Sequence, residues 1–149
     1  MKAALLDVNV LIALLWPTHE HHEAAHLWLK ARGRSRWATC PFTELAFARI
    51  VSNSAFSRDA LSPADALVLL ATNLAQPAHI FWPDDIPVVE GIGDAHERLQ
   101  GHRQIMDRYL LAIASRHGGV LASFDSGIRQ LLTKGAAGAL EIVPTTSSS

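Results

Sequence analysis

Short apolar runs alternate with longer stretches of helical spacing along almost the whole chain, and this alternation narrows the folds open to it. The runs are "AALL" (3–6), "RWATC" (36–40), "HIFW" (79–82), "GVLAS" (119–123) and "LEIV" (140–143). Between them, "HEAAHLWLKA" (22–31) sets Ala25, Trp28 and Leu29 on one helical face. "TELAFARIVSN" (43–53) does the same with Leu45, Ala48 and Val51. "SPADALVLLATNLA" (62–75) carries a helix start, with Ser62 as cap, Pro63 in the first position and Asp65 in the third. "RQIMDRYLLAIASRHG" (103–118) ends in a glycine stop. Strands alternating with helices predict an α/β fold, a mainly parallel five-stranded sheet with helices on both faces. The turn-rich "PDDIPVVEGIGD" marks 83–118 as an irregular excursion.

A length of 149 residues fits one domain with a real core. It is expected over 1–144, with 145–149, ending in "TTSSS", as a frayed tail. The single cysteine, Cys40, excludes an internal disulfide and a Cys-rich zinc site, and suits a reducing cytoplasm. The N-terminal apolar stretch is interrupted by Asp7 and Asn9, too short and too polar for a membrane span and a poor signal peptide. It reads as a first strand and turn. The net charge of −1 weighs against a nucleic-acid binder unless a local patch or metal ions supply the positive charge.

Of the 14 acidic residues, four stand in apolar surroundings: Asp7 in "LLDVNVLI", Glu44 in "PFTELAFA", Asp107 in "QIMDRYLLAIA" and Asp125 in "LASFDSGI". In an α/β sheet Asp7, Glu44 and Asp125 follow strands, at the carboxyl edge where such folds bind ligands. Asp107 lies near the start of a crossover helix that runs antiparallel to the strands, so its end of the helix meets the same edge. Two carboxylates about 5 Å apart repel by about 3 kcal/mol at an effective dielectric near 20. A crevice holding four needs protonation, cationic side chains or a metal. Oxygen donors without histidine or cysteine favour Mg²⁺, with Mn²⁺ as a substitute.

"LLDVNVLIAL", "TELAFARI", "GHRQIMDRYLLAIASRHGG" and "LASFDSGI", in that order, resemble the PIN-domain ribonucleases, and among them the VapC-type toxins of bacterial toxin–antitoxin pairs. The resemblance covers nearly the whole chain. It implies a single Rossmann-like domain, metal-dependent cleavage of structured cellular RNA (transfer or ribosomal) to a 5′-phosphate product, a homodimer, and a cognate VapB-type antitoxin. By the motif match Asp7, Glu44, Asp107 and Asp125 would be the catalytic acids around Mg²⁺, and Asn9 and Ser123 supporting polar groups. The mechanism then expects Asp7 and Asp107 as direct metal ligands, with Glu44 and Asp125 open between binding the ion, binding its water and orienting the attacking water. One departure is Met106, where the family usually has threonine or serine before the third acid. Methionine cannot cap a helix, so the helix is expected to begin near Gly101 or His102.

Two rivals stand beside this reading. A metal-dependent phosphatase of the haloacid-dehalogenase type needs D-x-D after the first strand, where this chain has "DVN". A catalytically weak nucleic-acid-binding module would have to explain four repelling acids. His22 and His26 share a helical face but lack a third ligand, so packing is expected of them. Lys30, Arg32, Arg34 and Arg36 read as a solvated loop, Asp84 as a turn residue, and His102 as a loop residue. Trp16 and Trp82 could stack on bases or belong to the core or a partner contact.

Overall fold

A computed structural model describes residues 1–133 and 136–145. Five short strands form one sheet: β1 (Ala4–Leu6), β2 (Trp37–Thr39), β3 (His79–Phe81), β4 (Val120–Ser123) and β5 (Leu140–Ile142). Their order is β3-β2-β1-β4-β5 and every pairing is parallel. β1 is central, with Leu5 in register with Ala38 on one side and Leu121 on the other.

Alternation along the strands builds two cores. Ala4, Leu6, Trp37, Val120 and Ala122 face one, while Leu5, Ala38 and Leu121 face the other. The first core is covered by α1 (Val8–Leu15), α2 (His22–Ala31), α3 (Pro41–Val51) and α4 (Pro63–Leu74). The second is covered mainly by α6 (His102–Arg116), through Leu110, Leu111, Ile113 and Ala114. This is the α/β/α layering expected of the sequence. Leu5, Leu6 and Leu121 are fully buried, each contributing about 2 kcal/mol.

The segment after β1 is a helix rather than a turn. α1 is 8 residues long and buried from Val10 to Leu15. A helix apolar all round must sit inside the molecule. Its C-terminal carbonyls are then hard to satisfy. His22 Nδ1 meets the Ala13 carbonyl at 2.7 Å and His26 Nε2 meets the Leu14 carbonyl at 3.0 Å. The histidine pair therefore packs, as expected, and also caps α1, which the spacing alone did not announce.

Local signals set the other helix ends. Ser62 Oγ accepts from the Asp65 N–H at 3.1 Å and starts α4 behind Pro63. α6 begins at His102 after Gly101, earlier than "RQIM" alone suggests and in line with the missing cap at Met106. Its end is closed by Gly118 at φ 69°, with Gly119 N–H donating to the Ala114 carbonyl at 2.8 Å. A Cβ on Gly119 would lie 2.5 Å from both the Ala3 carbonyl oxygen and the Trp82 ring, so only glycine fits between α6 and β4.

Two expectations are corrected. Leu45 is 70% exposed and Ala48 half-buried; α3 buries Thr43, Ala46 and Phe47 along with the expected Val51, because Phe47 anchors the helix in the core. Arg32 is not a solvated residue. Its side chain is 3% exposed, bonded to both Glu141 oxygens at 2.6 and 2.8 Å and to the Lys2 carbonyl, and it lies over the Trp28 ring. Lys30, Arg34 and Arg36 are exposed. Of the alternatives open for Trp16 and Trp82 the core holds: they are 8% and 6% exposed, with Trp82 stacked on His117. The 83–118 excursion contains α5 (Val88–Ile92) and a 3-10 stretch (Gly93–Arg98) before α6. Among the described residues no helix is long and apolar enough to cross a membrane. Of the expected tail, Thr145 is exposed and 146–149 lie outside the described residues.

Candidate functional site

β1 and β4 are neighbours, but the chain leaves β1 toward β2 and reaches β4 only after β3. The connections after β1 and β4 therefore part, opening a crevice at their carboxyl ends. Asp7 follows β1 and Asp125 follows β4. A cavity of about 520 Å³ lies there, lined by Asp7, Asn9, Asp107 and Asp125 together with Arg49 and Arg103.

Asp7 is 7% exposed and caps α1. Its Oδ1 accepts from the Val8 N–H at 2.8 Å and its Oδ2 from Ser123 Oγ at 2.7 Å. Burial pushes its carboxyl up. The two hydrogen bonds oppose that shift, and the nearby Asp125 charge adds to it. Ser123, fully buried at the end of β4, also accepts from Asn9 Nδ2 at 3.3 Å and from the Asp125 N–H at 3.1 Å. One hydroxyl thus fixes three of the predicted site residues. Asn9 Oδ1 is buried without a hydrogen-bond partner. Asp125 is exposed and accepts from the Gly127 N–H at 2.8 Å.

Asp107 stands on α6 beyond its first turn, so the helix start does not stabilise its charge. Burial, then the Asp7 and Asp125 charges, raise its carboxyl to about 6. Asp107 therefore feels the other two acids across the cavity. Met106, the departure from the family pattern, lines the wall beside it.

Glu44 does not join them. α3 presents Phe42, Ala46, Arg49 and Ile50 to the cavity. At about 100° per residue Glu44 lies roughly 200° round from Phe42, on the far side of the helix. Its Oε2 instead accepts from Thr39 Oγ1 at 2.7 Å, and Thr39 Oγ1 also meets His79 Nε2 at 2.7 Å. Asp84 and His102 are exposed and do not line the cavity. Arg49 and Arg103 do line it, and the sequence patterns did not single them out. The available signal was spacing, since Arg103 and Asp107 are four apart on one helix and Arg49 follows Ala46 by three.

The residues present suit a hard divalent cation. The donors are carboxylates with one unpartnered amide oxygen, and two acids raise the third. Among the described residues, no three acidic, histidine or cysteine side chains are already gathered closely enough to hold a metal directly.

The PIN-domain family pattern matches residues 4–132. The chain belongs to the PIN-domain family. Within the family it is of the VapC type. Ribonuclease VapC39 of Mycobacterium tuberculosis is 41% identical over 140 residues, covering 94% of this chain and 99% of that protein. Ribonuclease VapC38 of the same organism is 40% identical over 125 residues, covering 84% and 86%. The fold is shared with VapBC2 from Rickettsia felis, solved bound to a promoter DNA fragment, at a TM-score of 0.63 and 12% identity over 94% of this chain and 98% of that one. FitAcB from Neisseria gonorrhoeae follows at a TM-score of 0.59 and 20% identity, over 92% and 95%. The α/β architecture read from the apolar runs is thus the PIN fold, and the cavity of Asp7, Asp107 and Asp125 sits at the carboxyl edge of a PIN sheet.

Proposed function

We propose that this VapC-type PIN-domain protein is a divalent-metal-dependent endoribonuclease toxin. Its substrate is structured cellular RNA, transfer or ribosomal, and a cognate VapB-type antitoxin holds it in check in the cytoplasm. The observation that carries the reading is the meeting of Asp7, Asp107 and Asp125 around one cavity, two of them raising the carboxyl of the third. Relatives named as ribonucleases match almost the whole chain, and the neighbours in fold include toxin–antitoxin complexes. The catalytic domain is taken as 1–144.

Asp7 and Asp107 are the residues that would hold Mg²⁺ or Mn²⁺, with Asn9 and Asp125 placed to bind its waters. When bound, the ion supplies positive charge to the phosphate oxygens and acidifies water for attack on phosphorus. Ser123 keeps Asp7 and Asn9 aimed at the cavity. Asp107, raised to about 6 in the metal-free chain, would give up its proton as the cation binds. Glu44 acts from outside the ion's shell, at the sheet edge where Thr39 holds it. The homodimer is supported by exposed apolar side chains on α3, α4, β3 and α5, with Leu45, Leu67, Val68, Phe81 and Val89 between 52% and 86% exposed.

The test is cleavage of total cellular RNA with Mg²⁺ or Mn²⁺, with mapping of the ends produced. Metal-dependent cuts leaving 5′-phosphates are expected, lost in Asp7→Asn and Asp107→Asn with the fold intact. Wild-type protein that binds RNA but cuts none would favour a binding module instead.

A further inference from the structure

The cavity is a trough bounded by two helices from opposite layers of the fold, at the edge of the sheet between them. α3 contributes Phe42, Ala46, Arg49 and Ile50, and α6 contributes Arg103, Met106, Asp107 and Leu110. Each wall therefore carries one arginine on the same face as its apolar lining, with Asp7 and Asp125 between them at the sheet edge.

Both arginines are exposed. Among the described residues the arginine ion pairs are Arg32 with Glu141 and Arg116 with Asp85, so Arg49 and Arg103 stay uncommitted beside three carboxylates. Arg32 shows what a structural arginine looks like in this molecule, buried and bonded to a carboxylate. Arg49 and Arg103 have neither property. Both line the trough and reach solvent.

A polyanion approaching three aspartates is repelled unless positive charge meets it beside them. The chain as a whole, at a net charge of −1, does not provide this. Guanidinium forks pair with phosphate oxygens two bonds at a time and lose little hydration in doing so.

We infer that Arg49 and Arg103 form a phosphate clamp, each holding a backbone phosphate on one side of the nucleotide that enters the aspartate trough. The clamp rests on the endoribonuclease reading for the cleavage step, but not for RNA binding itself. It selects a strand crossing from α3 to α6 and sets which linkage lies over Asp7 and Asp107. Phe42, Ile50, Met106 and Leu110 give the intervening ribose or base an apolar floor.

The experiment uses the full chain and a short fluorescein-labelled RNA hairpin. Binding is followed by anisotropy across a salt series in an Asp7→Asn background, which keeps the RNA whole. Arg49→Ala and Arg103→Ala should each flatten the plot of log affinity against log salt by about 0.7–0.9. The double variant should bind roughly 10–100-fold more weakly near physiological salt, consistent with losing two charge-assisted phosphate contacts. Arg49→Lys and Arg103→Lys should retain most of the slope, and Arg58→Ala, away from the trough, all of it. In the active chain the alanine variants should raise KM more than they lower kcat and should spread the cuts over neighbouring linkages, which general loosening of the fold would not do. Wild-type slope and KM in the double variant, alongside normal wild-type cleavage, would overturn the clamp and leave the nuclease reading standing. A lost slope in a protein that cuts no RNA would uphold the clamp and sink the nuclease reading.

Discussion

Ser123 Oγ donates to Asp7 Oδ2 across 2.7 Å, joining the last residue of β4 to the cap of α1. The contact spans 116 positions of sequence and fixes the more buried of the three aspartates. It holds together two connections that would otherwise part from adjacent strands.

Ser123→Ala removes that donor and leaves a buried carboxylate oxygen unpaired. A loss of about 1–3 kcal/mol is expected, read as a lower urea midpoint at unchanged slope. The Ser123 bond also lowers the Asp7 carboxyl, so its loss lets protons compete better with metal. Affinity for Mn²⁺ should fall roughly 10–100-fold, as for other groups that orient a ligand, with a steeper dependence on pH in calorimetric titrations.

Asp107 gives the chain a pH signature when chelator keeps it metal-free. Its carboxyl is raised to about 6 from the ordinary 3.8. A raised carboxyl binds its proton more tightly in the folded state, so stability falls as pH climbs from about 4 to 6 and stays reduced above that. Asp107→Asn lacks this loss. At pH 7.5 its melting temperature should exceed that of wild type by roughly 2–4 °C, about 1 kcal/mol after allowing for solvent screening. The gap should close on acidification to pH 4. Added Mg²⁺ should stabilise wild type and not the variant. A gap that stays constant with pH would contradict the crowding of the three acids.

Glu44 separates ligation from a supporting role. Facing Thr39 rather than the cavity, Glu44→Gln should change Mn²⁺ affinity by less than about 0.5 kcal/mol. Asp7→Asn and Asp107→Asn should abolish measurable binding in the same titration. Loss of Mn²⁺ binding in Glu44→Gln as well would mean that the side chain leaves Thr39 and swings round to the ion.

Arg32 and Glu141 tie the end of α2 to β5, with Trp28 Nε1 donating to the same carboxylate at 2.6 Å. Glu141→Ala strands a buried guanidinium and should cost about 3 kcal/mol or more. Arg32→Met, which keeps the volume and removes the charge, should cost less only when combined with Glu141→Met. A double-mutant cycle by urea denaturation measures the coupling.

The pattern of these sites explains what was readable in the chain. Strand identity, the Ser62 cap and the Gly118 stop were legible because each rests on neighbours a few positions apart. The convergence of Asp7, Asp107 and Asp125 came from topology, since every element of a parallel sheet delivers one kind of end to each edge. Glu44 was misjudged because the same edge does not guarantee the same helical face. The phase of α3 is set by Phe47 packing into the core, while Leu45, assumed inward, is exposed. Arg32 looked like one more charge in a basic run. Its partner lies 109 residues away, and no local pattern announces such a pair. Arg49 and Arg103 escaped notice for a similar reason: each is an ordinary surface arginine until the opposite wall is in view.

The cap of α1 has a consequence for how such a protein can be silenced, by selection or in the laboratory. Asp7 both opens a buried helix and faces the cavity, so exchange for alanine removes a charge and a helix start together. Asparagine serves as a helix start about as well as aspartate. Disarmed descendants of this chain are therefore expected to drift to asparagine at this position, keeping a folded decoy that can still compete for the same protein partner.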